Sequence, residues 1–184
     1  GGVDTIIHGY HLEADGALTY RREIGERMAK NGIFLNPTLQ QGRERIWQLL
    51  AKRNTTELTT LENKEVVDFE KSWAERLPFF ENLLNDGVKL VAGTDASWMH
   101  YKLGGTSLQD VILAHVDIGL SPMEAIVSAT RDSARSCWID HYVGTLEPGK
   151  KADILVVDGD PSTDIKALRN IQDIYVSGNR VIRK

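Results

Sequence analysis

GVKLVAGTDAS, residues 87–97, holds the pattern on which the fold turns. Residues 88–92 are apolar apart from Lys89, enough for one short buried strand. Gly93 and Thr94 then turn the chain so that a carboxylate, Asp95, stands where the strand ends. The pattern occurs twice more upstream. Residues 3–7 form a β-branched run that stops at His8-Gly9, and residues 33–35 form another that stops at Asn36-Pro37-Thr38, because proline cannot continue a central ladder.

Helical periodicity fills the intervals. Leu18, Ile24 and Met28 mark a helix over residues 17–30, stopped by Asn31-Gly32. Residues 39–60 are polar apart from Trp47, Leu49 and Leu50, and read as a long loop holding a short helix, a common setting for a lid or substrate wall. Val66, Phe69, Trp73, Leu77, Phe80 and Leu84 then define one face of a helix that Pro78 is expected to bend. Past Asp95, a helix is expected at Leu108, Val111, Ile112 and Val116. Ser121-Pro122-Met123-Glu124 starts another, a capping box with proline at the first helical position, running to about Arg135.

Strand–helix alternation three times over implies parallel strands joined by right-handed crossovers, hence an α/β layer or part of a barrel; three strands cannot close one. After Asp140 the pattern changes to short strands at residues 152–157, 174–176 and 181–182, with a tight hairpin at Gly178-Asn179. Two units are therefore expected: an α/β part over residues 1–140 and a small β unit over 141–184.

Bulk properties remove several functional classes. A formal charge of −4 over 184 residues gives no basic face for nucleic acid. No apolar run is long enough to cross a bilayer and no signal peptide is visible, so a cytoplasmic protein without membrane partners is expected. The single cysteine, Cys137, excludes an internal disulfide and a cysteine-rich zinc site, and its apolar neighbours suggest a buried or half-buried thiol. No glycine-rich phosphate loop or nucleophile elbow is present.

In parallel α/β folds, ligands bind at the carboxyl ends of strands, and His8 and Asp95 occupy that place. A neutral imidazole and a carboxylate are ordinary ligands of zinc and similar divalent ions, and a carboxylate there can also take a proton from an activated water. From spacing alone, an Asp after a strand is often just a helix cap, and a lone His is more often packed or hydrogen-bonded than a ligand. Of the other histidines, His11 lies near His8 on an exposed loop, His100 lies where it can touch substrate, His115 falls on an apolar helix face, and His141 has no functional setting.

Taken together, VDTIIHG (residues 3–9), GIFLNPTL (32–39), GVKLVAGTDAS (87–97), GLSPMEAIVSAT (119–130), GTLEPGKKADILVVDGDP (144–161) and VSGNRVI (176–182) resemble the amidohydrolase superfamily, in the branch of imidazolonepropionase-like enzymes and prolidase-like dipeptidases. The resemblance implies a (β/α)8 barrel of the TIM type, of which this chain carries strands six to eight, followed by a segment of the flanking β-sandwich. It implies one or two divalent metals, zinc foremost, and hydrolysis of C–N bonds in small molecules or dipeptides. By the same resemblance, Asp95 is a metal ligand and general base, His8 is a metal ligand, and Ser97 and His100 lie near substrate.

The chain departs from the family pattern in lacking a counterpart to the early His-x-His pair, the lysine or glutamate after the fourth strand and the histidine after the fifth. Three readings follow: a C-terminal portion of a hydrolase that is inactive alone, a non-catalytic binding remnant, or one half of a split enzyme. The missing partner is then the N-terminal barrel half or a second copy of the chain.

Overall fold

The protein is described by a computed structural model that covers residues 2–39, 43–95 and 107–182. Three strands, β1 (Thr5–Ile7), β2 (Phe34–Asn36) and β3 (Lys89–Leu90), form a parallel sheet in the order β1-β2-β3. Ile6 pairs with Leu35 and Leu35 with Leu90, so one register line crosses all three strands. Backbone bonds from His8 to Asn36 (2.8 Å) and from Val91 to Leu35 (2.9 Å) extend the pairing toward the carboxyl ends.

The crossovers are helical, as the periodicity requires. Helix α1 (Arg22–Lys30) joins β1 to β2, whereas α2 (Arg43–Arg53) and α3 (Thr60–Asn85) join β2 to β3. Helix α1 starts later than expected because residues 12–18 fold into a small turn, with a bridge between Leu12 and Leu18 and a bond from Glu13 N to Ala17 O. The expected short helix in the 39–60 loop is three turns long, and Arg43 fixes it. Its guanidinium, buried between Trp47 and Trp73, also pairs with Asp117.

Helix α3 begins with a capping box, Thr59 accepting from Glu62 N while the Glu62 carboxylate accepts from Thr59 N. It continues past Pro78 as one element. The carbonyl that proline orphans belongs to Ala74, and both residues are exposed, so water can satisfy it. The expected face packs inward: Val66 and Phe80 are buried, with Trp73, Leu77 and Leu84 packed against the main core and Phe69 against a second cluster, and Phe79 and Leu83 are buried beside them. Phe80 and Leu83 pack with Leu35, Leu90, Ala114 and Ile118 into the main core.

Helix α4 (Ser107–Asp117) covers the sheet and leads to α5 (Pro122–Ala129), which has the expected box at Ser121 and Glu124. The single helix expected to Arg135 is two. Thr130, at φ −123° and ψ −91°, breaks it before α6 (Arg131–Ser136). The break frees the Ser128 carbonyl, which accepts from Ser133 Oγ (2.7 Å) and from Ala92 N (3.3 Å), so it clamps the chain just past β3.

The tail forms an antiparallel sheet of β4 (Ile154–Val157), β5 (Ile171–Val176) and β6 (Asn179–Arg180). Its hairpin corner is Ser177-Gly178, both at positive φ, as a type I′ turn demands, one residue before the expected Gly-Asn pair. A 3-10 helix (Ile165–Arg169) packs Ile165 and Leu168 against Ile112 and Leu113, and Arg169 reaches buried Asp110 on α4 at 2.6 Å. Cys137 is exposed, contrary to expectation, because it lies past the end of α6, beside a Trp138 that is 72% exposed.

His115 is fully buried on α4, as its place on an apolar face suggested. Ser128 Oγ donates to Ala125 O, so it accepts from His115 Nδ1 at 2.8 Å, and His115 Nε2 has no partner among the described residues. Burial lowers its pKa to about 4 from 6.5. The unfolded chain binds this proton below pH 6.5 and the folded chain only near 4, so the contribution is intact above 6.5 and is lost as pH falls through that window. Urea midpoints measured from pH 7 to 4 are expected to fall, by on the order of 3 kcal/mol at most for this group. In His115→Leu the fall should be shallower; an equally steep fall in that variant contradicts the assignment.

Candidate functional site

A left-handed residue follows each of the three parallel strands. His8 (φ 67°) comes directly after β1, Thr38 (φ 48°) two residues after β2, and Asp95 (φ 50°) five residues after the end of β3. None is glycine, and Thr38 is β-branched, the side-chain type least suited to that region. Such a conformation costs roughly 1–2 kcal/mol per residue and persists where the surroundings enforce it, most often at functional sites.

The three side chains meet. His8 Nδ1 lies 2.8 Å from Thr38 Oγ1, and His8 Nε2 lies 3.7 Å from Asp95 Oδ2. Thr38 is buried, whereas His8 and Asp95 keep 48% and 40% of their side-chain surface, so the imidazole and carboxylate open to solvent while the hydroxyl anchors the imidazole. In the sequence, Asn36-Pro37-Thr38 reads only as a strand stop. The available signal was positional, since the segment stands at the same strand-end level as His8-Gly9 and Gly93–Asp95.

Close backbone approaches hold the cluster. A Cβ on Gly9 would lie 2.3 Å from Leu35 Cδ1, and one on Gly93 would lie 1.9 Å from Asn36 Nδ2. Asn36 thus fills the space that Gly93 leaves, and its Oδ1 accepts from Thr38 N at 3.3 Å. The bond from Ala92 N to Ser128 O fixes the residue before Gly93.

A half-exposed pair 3.7 Å apart is a weak ion pair. As two donors on one cation it fits better: ligand atoms around a tetrahedral ion with bonds of ~2.0–2.1 Å stand about 3.4 Å apart, a few tenths from the observed spacing. Two donors fill part of a coordination sphere. Among the described residues no group of three or more His, Cys, Asp and Glu side chains converges in a way that could hold a metal.

The other candidates fall elsewhere. His11 stacks edge-on against Phe79 (5.0 Å) and accepts from Arg21 N, and burial holds its pKa below the ordinary value. His141 packs on Tyr142. Ser97 and His100 lie outside the described residues. Among the described residues no helix is long and apolar enough to cross a membrane.

The imidazole and the carboxylate thus follow the two outer strands of the three-stranded sheet and meet above the central one. The family model for the amidohydrolase family matches residues 1–181, and the chain belongs to that family. Sequence relatives include an adenine deaminase of Methanococcoides burtonii, 36% identical over 107 residues, which are 56% of this chain and 17% of that protein. An imidazolonepropionase of Thermoplasma volcanium is 26% identical over 110 residues, 58% of this chain and 27% of that protein. A solved Xaa-Pro dipeptidase with methionine bound in its active site superposes with a TM-score of 0.67 at 26% identity, covering 98% of this chain and 40% of its own. A putative prolidase from Bifidobacterium longum superposes equally well, at 26% identity, over 99% of this chain and 42% of its own. The chain thus spans less than half the length of each of these proteins.

Gly93→Ala tests how the cluster is held. The added methyl has to displace Asn36, with an expected loss of about 1–3 kcal/mol by thermal or urea unfolding. Unchanged stability contradicts the close packing of Asn36 on Gly93.

Proposed function

We propose that the chain is the C-terminal portion of a metal-dependent amidohydrolase that hydrolyses a C–N bond, of an amide, peptide or cyclic amide, in a small molecule or dipeptide. The single observation that carries this reading is the convergence of His8 and Asp95 at 3.7 Å beyond the ends of β1 and β3, in a chain of the amidohydrolase family.

In this reading residues 1–140 supply the last three strands and helices of a TIM-type barrel, and residues 141–184 a segment of the accompanying β-sandwich. His8 Nε2 and Asp95 Oδ2 hold a divalent ion, zinc being the first choice for a histidine–carboxylate pair. Such an ion supplies Lewis acidity and a lowered pKa for water. Asp95 accepts the proton of the attacking water and returns it to the leaving nitrogen, so that the amine departs neutral. Ser97 and His100, in the segment after Asp95, contact substrate.

The remaining donors come from an N-terminal barrel half, whether encoded upstream in one polypeptide or carried by a second chain. Val3, just before β1, and Ile7, its last residue, are 55% and 58% exposed and are apolar surface it would cover.

The test begins with the coding DNA upstream of Gly1, which should encode His-x-His in frame; a stop codon there, with no partner half in the source, contradicts the reading. The protein from the whole reading frame should then release product from a panel of Xaa-Pro dipeptides, imidazolones and adenine. Chelation should abolish turnover, and Asp95→Asn should lower kcat by about 100-fold or more. Full activity of Asp95→Asn sinks the assignment.

A further inference from the structure

Thr38 poses a question that packing does not answer. It is a β-branched residue at φ 48°, where glycine or asparagine is the ordinary occupant, and it is 5% exposed. Its neighbours enforce the conformation. Pro37 before it is fully buried, and Asn36 accepts its N–H. What the conformation achieves is the placement of one hydroxyl oxygen 2.8 Å from His8 Nδ1.

The imidazole has two nitrogens with different surroundings. Nε2 faces Asp95 at 3.7 Å, beyond the range of an N–H···O hydrogen bond. Nδ1 faces Thr38. If Nε2 gives its lone pair to a cation, the ring proton has to sit on Nδ1, and Thr38 Oγ1 is the acceptor within reach. A histidine whose far nitrogen is held in this way keeps its ring plane and tautomer, and losing such a partner lowers metal affinity about 10–100-fold.

We propose that Thr38 is a positioning residue that accepts from His8 Nδ1–H and so directs the Nε2 lone pair toward the Asp95 carboxylate and the ion they share. This assignment rests on the metal reading above and adds to it the group that makes His8 a competent donor. The opposite arrangement, with the Thr38 hydroxyl donating to Nδ1 and the ring proton on Nε2, removes that donor.

The experiment uses protein expressed from its whole reading frame, labelled with 15N at histidine, with Zn2+ as the probe. With Zn2+ present, the His8 Nδ1–H signal, identified by its loss in His8→Gln, should exchange slowly with water in the native protein and in Thr38→Ser. In Thr38→Val, which keeps shape and β-branching but has no acceptor, the signal should be lost to exchange, and Zn2+ affinity by calorimetry should fall about 10–100-fold. Thr38→Ser should bind within about threefold of the native protein on the same scale. A His8 ring proton on Nε2 in the native zinc-loaded protein overturns the proposal, and needs no Thr38 variant to fold. Thr38→Val binding as tightly as the native protein also overturns it. The two readings fail separately: unchanged affinity in His8→Gln contradicts the metal reading, whereas a drop in His8→Gln without one in Thr38→Val contradicts only the role of Thr38.

Discussion

The parallel register of β1, β2 and β3 is the constraint on which the site depends. With Ile6, Leu35 and Leu90 on one line, the three chains leave the sheet at nearby levels. Each then adopts a left-handed turn that a longer strand would not allow. A slip of one residue in β2 would exchange the faces of Leu35 and Asn36, putting an amide into the core and removing Thr38 from His8. The fully buried Leu35 opposes that slip, so the core fixes the geometry of the polar cluster above it.

The clamp around β3 extends this logic away from the sheet. The helix break at Thr130 turns the Ser128 carbonyl into an external acceptor for Ala92 N–H and Ser133 Oγ. Asp95 is therefore placed by a strand on one side and by the α5–α6 junction on the other. Strain at the strand ends is offset by this support, in keeping with backbone outliers that persist only where their surroundings enforce them.

Much of this was legible in the sequence where a local rule and a tertiary demand agree. The short apolar runs ending in His8-Gly9 and Gly93–Asp95 pair as strands of one sheet, and Ser121-Pro122-Met123-Glu124 caps a helix by its own chemistry. Thr59 and Glu62 carry the same capping signal, read only in hindsight. What stayed hidden depends on distant partners. Thr130 breaks a helix whose periodicity continues through it, Ser177 takes the first corner of the final hairpin although it is not an Asn or Gly, and Arg43 orders α2 through Trp73 and Asp117, far along the chain. Thr38 was hidden for the same reason, since only the folded sheet brings it to His8.

The central claim is that His8 and Asp95 act together on one ion. The most direct measurement is a double-mutant cycle in Zn2+ affinity by calorimetry, on protein from the whole reading frame, comparing His8→Gln, Asp95→Asn and the pair. Two ligands of one ion should be strongly non-additive, the double variant binding little worse than either single variant. Additive losses, or affinity that neither substitution changes, would contradict the account.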